Sequence, residues 1–589
     1  MPRIPRRHLL TVLLLVATIL APLTASPPLA TAATGFVTIQ GSKFIYNSQP
    51  ITLKGVNYYP QRNPWARMWE LWQGPTAEQD MATLADWGVN VVRVLVPYGS
   101  DNFDWTDESG RVNPDKLRYL QEMVQAAGRH GIKVNVALFD FYDGTAAAGS
   151  VEEGRNLTYL STLIRPFVGD DRILGWDLHN EPENYGMWAE RKHPELVVDW
   201  LHRMADYVHG LDRSHPLTVG MAAYTNLFAK ASDGTRILDF VDFASFHSYD
   251  AVNMGYQVEA VRKATNKPLV LQETGWPTGP TCNVLDYNDA AQLRVYTAAQ
   301  TIFADNRFDL AGVLGWTMWD YRPGQSRGGG VETREDYYGL LRRDGTPKPA
   351  LAPFKAIKTI PLPSASSTDL PLTAIPFDAQ TVANGNREYG EPLYFPETDR
   401  YVWDAFKDYW RRFGQRGVFG LPLTAARREV LSDGEERTVQ YFERARFELH
   451  EEAAKTVPGW ASLGKGEKLL YLVKLTPLGR VVTTGRDFAP VPAPSEGEFA
   501  ADPTLHYVPE TGHTIGGLFY QYWADNRGIA TFGYPISQPF NEVSTTDGKT
   551  YLVQYFERQR FEYHPDAAAP YKVQLGLLGA QYLTQHGCG

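Results

Sequence analysis

Residues 173–184 read ILGWDLHNEPEN, and the fold of this chain is most legible there. An apolar run enters a tryptophan and stops at Asn180-Glu181-Pro182, so a carboxylate stands where a buried strand gives way to a loop. Residues 267–279, KPLVLQETGWPTG, repeat the arrangement, with Glu273 closing a Leu/Val run. At the period of two that a strand imposes, Asp177, His179 and Glu181 share one face, and Leu269, Leu271 and Glu273 share another. Parallel strands wound into a barrel gather their C-terminal ends at one mouth. Two carboxylates aimed into one mouth are the minimum equipment for cleaving a glycosidic bond.

Outward from these two stretches, strand-like runs recur at 51–57, 89–96, 132–138, 217–220, 241–246 and 311–317, which with 173–179 and 269–272 make eight. Between them, stretches such as 115–130 and 194–211 place apolar residues at helical spacing. This alternation predicts an α/β fold, a (β/α)8 TIM barrel over residues 35–358, entered through a hairpin around Asn47-Ser48-Gln49. Residues 359–390 are rich in Pro, Ser and Thr and read as a linker.

Beyond it the chain repeats itself. Tyr394-Phe-Pro-Glu-Thr398 returns as Tyr507-Val-Pro-Glu-Thr511, and Trp410 with Phe419-Gly-Leu-Pro422 returns as Trp523 with Phe532-Gly-Tyr-Pro535, all at an offset of 113. Val439-Gln-Tyr-Phe-Glu-Arg444 returns as Val553-Gln-Tyr-Phe-Glu-Arg558 at 114. Two accessory repeats, 391–484 and 505–585, are therefore expected, joined by a second Pro-rich linker at 485–504. Their common aromatic residues are those a small fold needs for its own core.

Composition narrows the partners. A net charge of -10, with basic residues clustered only among the first ten, argues against a nucleic-acid ligand. Arg3, Arg6 and Arg7 precede an apolar run at 9–21, and Ala30-Thr31-Ala32 supplies small residues for cleavage. This three-part pattern reads as a signal peptide over 1–32, cleaved near Ala32, giving a secreted protein with no membrane span. Cys282 and Cys588 are the two cysteines, and whether they pair is left open. No CxxC or HExxH spacing suggests a metal, and no cofactor is expected. Asn156-Leu157-Thr158 fits a glycosylation acceptor.

Taken together, Arg93 in VNVVRV, Asn180 and Glu181 in LHNEPE, His247 and Tyr249 in FHSYD, Glu273 in LQETGW and Trp319 in GWTMWDY resemble glycoside hydrolase family 5, the cellulase and mannanase family. The resemblance implies that Glu181 is the general acid/base and Glu273 the nucleophile of a retaining enzyme acting on a β-linked polysaccharide or oligosaccharide of the mannan or glucan class. It further implies that Arg93 holds Glu273 ionised, Asn180 meets a sugar hydroxyl, Tyr249 donates to the nucleophile, His247 sits beside the acid/base or the sugar, and Trp319 stacks on a pyranose. Trp316 is the rival for that stacking role. Trp65, Trp69 and Trp72 follow the first strand and either wall the cleft or pack a loop. Where family cellulases carry a histidine after the third strand, this chain reads Phe139-Asp140-Phe141-Tyr142. A barrel that only binds carbohydrate or a cell surface is the alternative reading, and the repeats suggest contact with cell envelope or polymer.

Overall fold

The computed structural model describes residues 35–99, 104–280, 286–326, 330–365, 370–377, 391–544 and 547–585. The expected signal peptide and both cysteines lie outside the described residues.

Eight parallel strands form the central sheet: β4 (Leu53–Asn57), β5 (Val91–Pro97), β6 (Lys133–Asp140), β7 (Ile173–Asn180), β8 (Leu217–Gly220), β9 (Ala244–His247), β10 (Leu269–Thr274) and β11 (Gly312–Gly315). Their order is β8-β7-β6-β5-β4-β11-β10-β9, and a parallel bridge between Met221 and Phe246 joins the two ends of that row into a barrel. The chain is thus a (β/α)8 barrel, followed by small sheet modules. Three short strands, β1 (Val37–Gln40), β2 (Lys43–Tyr46) and β3 (Gln49–Ile51), form an antiparallel sheet ahead of it. Asn47 and Ser48, both at positive φ, make the tight turn between β2 and β3. Val37, Phe44 and Ile51 of this sheet pack with Leu53, Leu174 and Val270. The small sheet therefore closes the end of the barrel away from the carboxylates.

Pairing shifts at the base of β6 and β7, between Val134 and Asn135, and again near the C-terminal ends, between Asp177 and Asn180 on β7 and between Leu271 and Glu273 on β10. These bulges overturn the simple alternation. His179 turns away from Glu181, bonding the Tyr142 and Asn180 carbonyls and packing on Tyr185 and Trp200. Leu269 and Leu271 join the main core, while Val270 and Gln272 point inside and Glu273 is aimed into the mouth. A bulge re-aims the residues beyond it, and here it brings two carboxylates into one space.

The segment expected to act as a free spacer is held along the barrel. Thr373 binds Glu122 through both its amide and its hydroxyl, Ala365 bonds Gly128, and Ile375 bonds Trp72. Asn156, expected as a glycan acceptor, is fully buried with its amide on the Tyr98 hydroxyl, and so is not presented to solvent.

The repeats likewise depart from two separate modules. The first contains β13 (Leu393–Phe395), β14 (Arg400–Val402), β15 (Ala426–Val430), β16 (Glu436–Tyr441), β17 (Arg446–Leu449) and β18 (Val473–Leu475). The second contains the matching β19 (His506–Val508), β20 (His513–Ile515), β21 (Phe540–Val543), β22 (Thr550–Tyr555), β23 (Arg560–Tyr563) and β24 (Val573–Leu575). Phe442 and Phe447 of one share a single core with Phe556 and Phe561 of the other. Their closing helices are exchanged: Leu478–Val482 packs on the second repeat, where a Cβ on Gly479 would fall 1.8 Å from the Phe556 carbonyl, and Leu578–Gln585 packs on the first, where one on Gly579 would fall 1.9 Å from the Phe442 carbonyl. Sheets of four short strands bury too little alone, and the exchange gives both an interior.

Candidate active site

At the C-terminal end of the barrel the side chains converge on Arg93, which is buried and saturated. Its Nε and Nη2 donate to Asp177 Oδ2 at 2.9 and 2.7 Å, Nη1 donates to Asn57 Oδ1 at 2.9 Å and to Glu273 Oε1 at 2.7 Å, and Nη2 reaches Asn180 Oδ1 at 2.9 Å. One guanidinium thus fixes groups from β4, β7 and β10, the use for which its rigid fork of donors is suited. Tyr249 donates its hydroxyl to Glu273 Oε2 at 2.7 Å. His247 Nδ1 lies 2.6 Å from Glu181 Oε1 and 3.3 Å from Glu273 Oε2, standing between the two carboxylates. Asn184 donates to the other Glu181 oxygen at 2.7 Å.

Glu181 itself is held at φ 50°, ψ 56°, a left-handed conformation costing on the order of 1–3 kcal/mol in a residue with a Cβ. Its amide is tied to the Gly220 carbonyl at 2.7 Å and its carbonyl accepts from Asn184 at 3.0 Å, so the neighbouring strand and the following turn hold the strain. Phe141 and Trp65, on other loops of the same cleft, also have positive φ.

Glu181, His247 and Glu273 each offer a ligand atom, all within 4.8 Å of one another. As a cation site the set is poorly suited, because Glu273 already carries the Arg93 charge and the Tyr249 hydroxyl on its two oxygens. As a carboxylate pair it matches the short spacing of retaining glycosidases, about 5 Å. Burial pushes the Glu273 carboxyl above the ordinary range; the His247 and Arg93 charges oppose this, Glu181 adds to it and the Tyr249 hydrogen bond subtracts. Glu181 is held below the ordinary range, because its hydrogen bond to His247 and the charges of His247 and Arg93 outweigh its burial. His247 is raised: burial opposes its charge, but Glu273 and Glu181 together outweigh that. The three stand close enough to titrate as one coupled unit.

The cleft above this unit has a volume of about 680 Å³. Trp65, Phe141, Tyr185, Trp276, Trp316 and Tyr338 line it. Trp316, rather than Trp319, faces this space. Trp319 packs against the main core and bridges Leu341, because β11 ends at Gly315 and the chain leaves the barrel rim immediately afterwards. Of the three early tryptophans, Trp65 lines the cleft while Trp69 and Trp72 are core.

Two further residues of the site were not among those the sequence singled out. Asp177 becomes the second carboxylate of Arg93 only when β5 and β7 face each other across the interior. Asp140 ends β6 beside Arg93, lines the cleft, and has an Oδ2 that accepts no hydrogen bond. Burial pushes its carboxyl up to about 7, with Arg93 pulling it down and Glu273 adding to the rise. Its place in Phe139-Asp140-Phe141, at the end of an apolar run, was the available clue.

Residues 45–300 match the family model of cellulase, glycosyl hydrolase family 5. Mannan endo-1,4-beta-mannosidase A of Podospora anserina is 24% identical over 246 residues, covering 35% of this chain and 64% of that protein. Mannan endo-1,4-beta-mannosidase 1 of Arabidopsis thaliana is 26% identical over 263 residues, covering 37% and 61%. Among solved structures, an exo-beta-1,4-mannosidase from Opitutaceae bacterium strain TAV5 has a TM-score of 0.43 at 20% identity, covering 54% of this chain and 61% of that one. The chain spans between 50% and 75% of the length of the first three curated relatives it matches. The family-model match over residues 45–300, the related mannosidases and the eight-stranded barrel lead to one conclusion: this chain carries a TIM barrel of the glycosyl hydrolase family 5 type.

Proposed function

We propose that this protein is a retaining β-glycosidase acting on β-linked hexose polymers or oligomers, with β-1,4-mannan the foremost candidate. The observation that carries the reading is the carboxylate pair, Glu181 and Glu273, bridged by His247 with all three ligand atoms inside 4.8 Å. Glu273 is the nucleophile: its carboxylate attacks the anomeric carbon as the glycosidic C–O bond breaks, forming a covalent glycosyl ester. Arg93 and Tyr249 hold the attacking oxygens in place and carry their charge. Glu181, the more exposed of the two, delivers a proton to the departing oxygen, and His247 at 2.6 Å orients its carboxyl. Water then attacks the ester while Glu181 takes its proton, so the anomeric configuration is retained. Asn180 is fixed by Arg93 beside the same space and meets a hydroxyl of the sugar being cleaved, and Trp316 offers a flat face for stacking. Mannan comes first because the curated relatives are named mannan endo-1,4-beta-mannosidases. Export is part of the reading, supported by the basic and apolar pattern of residues 3–32; among the described residues, no helix is long and apolar enough to cross a membrane. The two repeats are also proposed to hold the enzyme near polymer or cell envelope.

The protein incubated with β-mannan, cellulose, mixed-linkage glucan, β-1,3-glucan and xylan should release reducing ends from at least one of them. Proton NMR of the first product should show the β-anomer. An α-anomer as first product, or hydrolysis of α-linked glycosides only, would overturn the mechanism.

A further inference from the structure

We infer that the first repeat is a buttress for the substrate cleft, and that the second repeat has no such role. The loop after the last barrel strand carries Arg334, Glu335 and Tyr338, which line the cleft, and Glu335 receives the Trp316 indole at 3.2 Å. The same loop contains β12 (Val331–Glu332), which is the edge strand of the first repeat's sheet, pairing in parallel with β15 through Val331 with Ala426 and Glu332 with Arg427. The loop that walls the cleft is therefore anchored, two residues before Arg334, as a strand of the accessory module's sheet.

Side chains reinforce the pairing. Asp399 of the repeat accepts from Arg322 at 2.9 Å and from Arg343, two arginines that flank the loop on either side. Arg322 also donates to the Tyr401 hydroxyl at 2.9 Å and lies over the rings of Tyr394 and Tyr401. Trp403 packs so closely on Gly330 that a Cβ there would sit 2.3 Å from its ring, and Gly330 has the positive φ of 71° that suits only glycine.

The duplication provides an internal control. The residues that build the shared repeat core keep their character at an offset of 113, with Val402, Phe406, Tyr409 and Trp410 matched by Ile515, Phe519, Tyr522 and Trp523. The barrel-facing residues between them do not. Asp399, Tyr401 and Trp403 are matched by Gly512, Thr514 and Gly516, and Ala426 by Pro539, which has no N–H and marks a strand edge that does not extend. The first repeat's sheet has five strands because it takes β12, and the second has four. One copy has diverged where it meets the barrel, at the residues that hold the cleft loop.

The test is the full-length Asp399→Gly, Tyr401→Thr, Trp403→Gly variant. These residues stand at the matching places of the second repeat, so the module's fold accommodates them. Amide hydrogen exchange across residues 331–338 should accelerate in the variant, while exchange in β16 and β22 stays unchanged. This readout does not depend on the enzymatic reading. In kinetics, KM for an oligosaccharide that fills the cleft should rise by about 10- to 100-fold, the effect expected when a positioning wall loosens. On an activated aryl monosaccharide kcat should change less than about 2-fold, because Glu181, Glu273 and Arg93 are untouched. Unchanged exchange at 331–338 would overturn the buttress, as would equal kinetic losses on both substrates. A wild type inactive on every β-glycoside would instead sink the proposed function and leave the exchange result to judge the buttress.

Discussion

The barrel mouth and the two repeats each hold an arginine, a glutamate and a tyrosine in mutual contact, and the three clusters are chemically alike. In the mouth, Arg93 and Tyr249 each donate to Glu273 at 2.7 Å. In the first repeat, Arg446 and Tyr441 donate to Glu429 at 2.7 and 2.9 Å; in the second, Arg560 and Tyr555 reach Glu542 at 3.3 and 2.8 Å. The difference lies in what stands above them. Over Tyr441 lies the ring of Tyr582, and over Tyr555 lie Phe488 and Phe540, so aromatic rings cover the tyrosines of the repeat clusters. Over Glu273 lies an open cleft with a second carboxylate, Glu181, inside it. The same trio of side chains is structural when capped and chemically equipped when it faces a space that a substrate can enter.

The strongest way to break this comparison is to remove the glutamate from each cluster. Glu273→Gln should lower turnover by more than about 10⁴-fold in a protein that still folds, leaving only what binding and the rest of the site supply. Glu429→Gln should do the reverse, leaving turnover within about 2-fold while lowering the melting temperature, since Arg446 and Arg427 lose a buried partner. A Glu429 variant that lost activity without unfolding would erase the distinction.

Next in size is Glu181, the carboxylate that stands in the open cleft. Glu181→Ala should cost on the order of 10² to 10⁴-fold on substrates whose leaving group needs a proton, and far less on aryl glycosides with acidic leaving groups. Equal losses on the two classes would remove the acid/base role.

The tyrosines form a matched pair. Tyr249→Phe deletes a hydrogen bond to a charged group, worth about 1.5–3 kcal/mol, and should appear as a fall in kcat/KM of about 10- to 100-fold. Tyr441→Phe deletes an equivalent bond and should appear only in the denaturation midpoint. If both changes moved the same observable, capping would not be what separates the clusters.

The smallest effect concerns Asp140, whose folded carboxyl is raised to about 7 from an ordinary 3.8. A raised acid favours the folded state below the unfolded value and loses that contribution as pH climbs through the folded one. Between pH 3.8 and about 7 the unfolded chain releases a proton that the folded chain retains, so wild-type stability falls across that window. Asp140→Asn stays neutral and should melt a few degrees above wild type at pH 7, with the gap closing near pH 4. A gap independent of pH would show that the buried carboxyl is not the cause.

The sequence by itself determined the eight strands, because each is an apolar run short enough to be a buried strand and separated by helical periodicity, and the observed strands fall on those runs. It also marked Glu181 and Glu273 as carboxylates at strand ends, since local pattern carries burial and position along a strand. What the tertiary structure decided was everything that depends on facing. The bulges in β7 and β10 shift alternation by one residue, so His179 leaves the mouth while Asn180 joins Arg93, and a register slip has no signature in composition. Trp316 takes the place beside the cleft from Trp319 because β11 stops one residue before it. The barrel's use of the first repeat to anchor a cleft loop was invisible for the same reason: β12 is two residues long, and only the partner strand across 95 positions of chain makes it a strand at all.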